Sequence, residues 1–182
     1  MPALSINPMR LGAMHVTLGI WTAVAAAAVP LLWKTELPAS ESIAPVLAAA
    51  QPAFWCIAAY CVVTATVHAD IGWRLRSGRA SPSGVLGLAV VHGSLFAVVL
   101  RIALRNPHSP AYLAGLDAHI AIVLVTSLLC AALLLSTWAA GSVGSAGLAG
   151  RSVATRWTFY LLQTLAATAT AIALLRVDAT LG

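Results

Sequence analysis

The 182-residue chain is 60% apolar and 8% charged, with a net charge of +5 and a mean hydropathy of +0.92, whereas soluble domains run at about 45–50% apolar and about 25% charged. Those figures exclude a soluble globular domain, and they exclude disorder, which needs low hydrophobicity and high charge. The basic excess lies between apolar blocks, where membrane topology places it, so the expected partner is the lipid bilayer and not nucleic acid.

The ten basic and five acidic residues cut the chain into five uncharged stretches, the shortest 19 residues long and the longest 33. Each meets the roughly 17–25 residues needed to cross about 30 Å of hydrocarbon. An unpaired backbone amide in lipid costs several kcal/mol, so such runs must close their hydrogen bonds internally as helices. The expected fold is all-α: a polytopic five-helix transmembrane bundle forming one domain over residues 1–182.

Helix one is expected from Leu11 to Trp33. Arg10 ahead of it and the run Ala25 to Ala28 within it are signal-peptide features, but the segment is read as a retained helix. A turn containing Pro38 and Ser40 leads to helix two, Pro52 to Trp73. Gly78 and Pro82 lead to helix three, Gly84 to Leu104, and Pro107, Pro110 and Gly115 lead to helix four, Ala118 to Ala140. Gly141, Gly144, Gly147 and Gly150 then recur at every third position. Without the lysine and hydroxyl residue of a phosphate-binding loop, they read as a flexible turn before helix five, Trp157 to Leu175.

Arginine and lysine are retained on the cytoplasmic side. With the N-terminus inside, that side carries Arg10, Arg74, Arg76, Arg79, Arg151 and Arg156, and the other carries Lys34, Arg101, Arg105 and Arg176. The odd helix number then places the C-terminus outside. Trp33, Trp73, Trp138 and Trp157 fall at expected helix ends, as interfacial anchors do.

Cys56, Cys61 and Cys130 lie within expected helices without the close spacing of zinc or redox pairs, and read as small core residues. No nucleophile elbow, paired-carboxylate site or metalloprotease motif is present, so hydrolytic chemistry is not expected. The histidines carry the signal. His15, His68, His92 and His119 fall in or at the edge of four separate helices, and ionisable groups at membrane depth are costly enough to suggest a function; His108 falls in a loop. Each imidazole has the alternative of simply bonding a neighbouring helix.

A b-type haem needs two neutral imidazoles from facing helices, about 4 Å apart across the iron. At about 1.5 Å per residue, His15 and His68 come to a similar depth below the cytoplasmic end, which makes them the expected pair. His92 lies deeper and is the alternative ligand. His119 enters from the opposite side, so it could share an iron with His92 only across a large depth gap. Gly19 and Gly72 follow His15 and His68 by one turn, where a missing side chain admits either a macrocycle or a neighbouring helix. Thr64 is placed to orient His68, and Arg10, Arg74 and Arg76 lie where haem propionates would pair with them, although topology alone also explains these arginines.

The segment His68-Ala69-Asp70-Ile71-Gly72-Trp73-Arg74 resembles the histidine, three residues, glycine, one residue, arginine pattern of succinate dehydrogenase cytochrome b anchors. Val91-His92-Gly93 through Arg101, Arg105 and Pro107 is similar to a histidine-bearing helix of small bacterial di-haem b-type cytochromes. These resemblances imply a haem-b subunit of a bacterial inner-membrane oxidoreductase. In that reading His15 and His68, or His92, bind haem iron, and electrons pass between a redox partner subunit and quinone. Five-helix anchors of this kind draw a ligand from helix five, which has no histidine here, so at most one haem is expected.

Two other readings stay open. His68 with Asp70, and Asp117 with His119 and His108, put imidazole and carboxylate at both mouths of the bundle, as in a divalent-metal or small-solute transporter. A structural subunit would instead pack the small residues of helix five, Ala166 to Ala171, against other membrane chains, with Gln163 as polar glue.

Overall fold

The computed structural model describes residues 7–32, 44–78, 84–105, 116–141 and 153–181. They form five helices: α1 (Pro8–Leu32), α2 (Ala44–Arg76), α3 (Val85–Arg105), α4 (Leu116–Gly141) and α5 (Val153–Leu181). All five are long and apolar enough to cross a membrane. Trp33, His108, the prolines of the connections, Arg79, Arg151 and the glycines after Gly141 lie outside the described residues.

Local chemistry sets several ends. Asn7 caps α1: its side-chain oxygen accepts from the Met9 amide at 2.9 Å and its carbonyl accepts from Arg10 and Leu11. Pro8 occupies the first helical position, where the missing N–H costs nothing. After α2 the chain turns at Gly78, whose φ of +68° suits a residue without a side chain. Two helices extend well beyond the expected ones. Helix α2 begins at Ala44 and carries Pro52 inside it. Helix α5 continues past Arg176 because Val177 is buried and Asp178 pairs with Arg105 of α3 at 3.4 Å. A helix ends where its packing ends, and a charge marks that point only when it faces outward.

Around the bundle the helices follow the order α1, α2, α5, α3, α4 and back to α1, with α2 also reaching α4. Neighbours in sequence run in opposite directions. The start of α1 meets the ends of α2 and α4, through His15 with His68 and Thr137, while α3 and α5 run parallel, joined by His92 with Gln163 and Arg105 with Asp178.

The closest seam is α1 on α2. A Cβ on Gly72 would lie 2.7 Å from the Gly12 carbonyl and 2.8 Å from Val16, and one on Gly19 would lie 3.1 Å from the Ala65 carbonyl. Of the two uses open to Gly19 and Gly72, they therefore serve backbone-to-backbone packing. Two apolar clusters fill the interior, polar side chains are buried among them, and large apolar residues also cover the outside. His15, His68, His92, His119, Thr64 and Gln163 are fully buried, whereas Leu31, Leu104 and Trp73 are 84%, 74% and 70% exposed.

Candidate functional site

Each of the five helices contributes a buried polar side chain to one connected region. At its first edge, Thr137 of α4 donates its hydroxyl hydrogen to the Leu133 carbonyl, one turn back, at 2.8 Å. A hydroxyl has one hydrogen, so the 2.7 Å contact with His15 Nε2 must be donated by the imidazole. A neutral His15 then has a bare Nδ1, and the 2.8 Å contact between the two Nδ1 atoms is donated by His68. By the same count His68 Nε2 carries a lone pair. That atom is fully buried and has no hydrogen-bond partner among the described residues. The two rings lie nearly parallel, with centroids 4.9 Å apart and planes 26° apart.

Across from this chain stands His92 of α3. Its Nδ1 meets the Tyr60 hydroxyl of α2 at 2.8 Å and its Nε2 meets the Gln163 amide of α5 at 2.8 Å. The same amide nitrogen donates to Thr64 at 3.3 Å. Thr64 thus serves Gln163, where the sequence suggested an orienting contact to His68. The His68 and His92 rings stand edge to face, 6.4 Å apart. Cys130 of α4 completes the group: one donor atom each from His68, His92 and Cys130 lie within 4.8 Å of one another, and all three residues are fully buried. Because His15 occupies Nδ1 of His68, Nε2 is the nitrogen His68 has to offer.

The structure brings His15 and His68 together and holds His92 beside them. His119 sits apart. Its Nε2 donates to the Val29 carbonyl of α1 at 2.8 Å. Arg74 donates to Asp70 at 2.7 Å, which engages both a residue considered for propionates and a carboxylate considered for a cation path.

Two imidazoles sharing a haem iron hold their nitrogens about 4 Å apart with the macrocycle between them. Here His15 and His68 are in direct hydrogen-bond contact at 2.8 Å, and opposing backbone fills the space beside Gly19 and Gly72. In this arrangement the pair does not fit a haem sandwich. A groove of about 440 Å³ between α1 and α4, lined by Met14, Trp21 and Leu133 among others, has none of the histidines in its wall.

Cys130, Thr137 and Tyr60 carry no local sequence signal, since each site residue comes from a different turn of a different helix. In comparisons with known proteins the chain matches no family model, no curated protein and no solved structure. The described residues define an all-α bundle of five span-length helices with four histidines buried in its core.

Proposed function

We propose that this chain is an integral membrane protein that holds a transition-metal ion in its core through His68, His92 and Cys130, and that it handles the ion without breaking covalent bonds. The N-terminus lies on the cytoplasmic side and the C-terminus opposite. Bilayer insertion is supported by the apolar exterior: residues such as Leu31 and Leu104 on its surface would be costly in water. Trp73, Trp138 and Trp157 support it further, being exposed at the end of the bundle that also carries Arg10, Arg74 and Arg76.

The observation that carries the reading is the bare, buried Nε2 of His68 beside a second imidazole and a thiol. A buried lone pair without a donor is unfavourable, and a cation relieves it. The Nδ1–H of His68, donated to His15, is the outer hydrogen bond that metal-bound imidazoles commonly make. Soft sulfur with imidazole suits copper, zinc or iron rather than magnesium or calcium.

Elemental analysis of the detergent-purified protein tests this. About one transition-metal atom per chain, lost in His68→Ala and Cys130→Ser, is expected. The electron-transfer reading, with haem b and quinone, makes a different forecast. A Soret band that disappears in His15→Ala and His68→Ala would replace the metal-ion reading with that one.

A further inference from the structure

The donor set, its charge and its surroundings discriminate among metals. Resting on the metal-site reading above, we infer that the ion is monovalent and soft: the site is built for Cu(I). Three donors are in place, two imidazoles and one thiol, which complete a trigonal Cu(I) shell, whereas zinc on the same three needs a fourth ligand or a water to close its tetrahedron. A coordinating thiol is deprotonated, so Cu(I) binding releases one proton from Cys130 and leaves a neutral Cu(I)–thiolate unit. A divalent ion on the same ligands leaves a net positive charge in the interior.

No carboxylate among the described residues stands by to cancel that charge. Asp70 is held by Arg74 and Asp178 by Arg105, while Asp117 lies in the first turn of α4 and is exposed. An uncompensated charge in a low-dielectric core is expensive, which sets the preference for the ion whose charge one thiolate balances.

The geometry requires a small adjustment. Around a trigonal ion with metal–nitrogen bonds near 2.0 Å and a metal–sulfur bond near 2.3 Å, ligand atoms lie roughly 3.5–3.7 Å apart. The three donors, now within 4.8 Å, close by about an ångström, and His92, whose Nε2 accepts from the Gln163 amide and whose Nδ1–H donates to Tyr60, exchanges the Gln163 bond for the ion. His68 needs no such exchange. The chain from Leu133 through Thr137 and His15 already holds its Nδ1 protonated and its Nε2 bare.

The test is an anaerobic titration of the detergent-purified full chain with Cu(I) against bathocuproine disulfonate, with Zn(II) and Co(II) titrated in parallel. One Cu(I) per chain is expected, bound at least about 100-fold tighter than Zn(II), weakened about 10–100-fold by His15→Ala and lost in Cys130→Ser. If Zn(II) or Co(II) binds more tightly, at residues that include Cys130 and His68, the Cu(I) inference is overturned and the metal site stands. If neither ion binds, or if binding survives both Cys130→Ser and His68→Ala, the inference and the site fall together. Should the cysteine variant not fold, X-ray absorption of the Cu(I)-loaded wild type decides. A sulfur neighbour near about 2.3 Å supports the inference, and a shell of nitrogen or oxygen alone overturns it.

Discussion

His15 and His68 meet Nδ1 to Nδ1 at 2.8 Å, fully buried between the start of α1 and the end of α2. The contact has a direction, because a backbone carbonyl anchors one end of the chain of hydrogen bonds. The Leu133 carbonyl takes the Thr137 hydrogen, which leaves each neutral imidazole one arrangement of its single proton. A threonine on α4 therefore determines which nitrogen of a histidine on α2 is bare, with the ring of a third helix as intermediary.

Thr137→Val removes the acceptor for His15 Nε2–H and leaves that donor buried and unpaired, at a cost of about 1–3 kcal/mol. His15 is then released to protonate Nδ1 and bond His68 in the opposite sense, which puts the His68 proton on Nε2. Long-range ¹⁵N–¹H spectra of labelled protein in micelles should show His68 protonated at Nδ1 in the wild type and at Nε2 in the variant. Thr137→Ser should restore the wild-type pattern. An unchanged His68 tautomer in the valine variant would show that the chain does not act as described.

The α1–α2 seam predicts a sharp contrast between two glycine-to-alanine changes. At Gly72 the added methyl meets the Gly12 carbonyl and Val16 at under 3 Å, whereas at Gly87 nothing lies within 4 Å. Gly72→Ala should force the two helices apart, destabilise the protein by about 1–3 kcal/mol and disturb the His15–His68 contact. Gly87→Ala, in the same kind of helical backbone, should be neutral or stabilising by up to about 1 kcal/mol. Thermal unfolding in detergent compares them, and equal melting temperatures would contradict the packing.

Five helices follow from the placement of a few charges, because lipid-length apolar runs have one economical backbone solution. The common level of His15 and His68 follows from the rise per residue on two antiparallel helices. The rest of the site does not. The order around the bundle, α1–α2–α5–α3–α4, is not the order of the chain, and nothing in the connections encodes it. Cys130 therefore reads as an ordinary core residue until α4 is packed against α3, and Tyr60 is just another aromatic until His92 arrives beside it. The start of α2 and the end of α5 lie away from their expected places for local reasons. Pro52 lies inside a helix, and Asp178 is turned inward to Arg105.

Gln163 joins three helices through one amide, donating to Thr64 on α2 and meeting His92 on α3. Gln163→Leu keeps the approximate volume and removes both bonds, leaving a buried imidazole nitrogen and a buried hydroxyl with one partner fewer. A loss of about 1–3 kcal/mol is expected. If His92 gives up Gln163 when an ion binds, the loss should be smaller in the metal-loaded protein than in the metal-free one. Denaturation of both forms, compared with wild type, measures the difference. An equal loss in the two forms would mean that the amide stays on His92 Nε2 and that His92 does not take the ion.

His119 supplies the opposite case, a buried histidine whose work is structural. Its Nε2–H satisfies the Val29 carbonyl near the end of α1, and its ring lies 5.7 Å from that of Phe54. His119→Ala leaves the carbonyl without that donor and opens a cavity beside Phe54, so stability should fall by at least about 1–3 kcal/mol. His119→Gln, which retains an N–H donor, should recover part of that loss. Neither change should alter the metal content of protein that folds, because the group that gathers donor atoms is His68, His92 and Cys130, without His119. Metal analysis of both variants beside His68→Ala separates the two kinds of buried histidine. If His119→Gln lost the ion as completely as His68→Ala, the assignment of His119 to the α1 end and of the ion to the other cluster would both have to be abandoned.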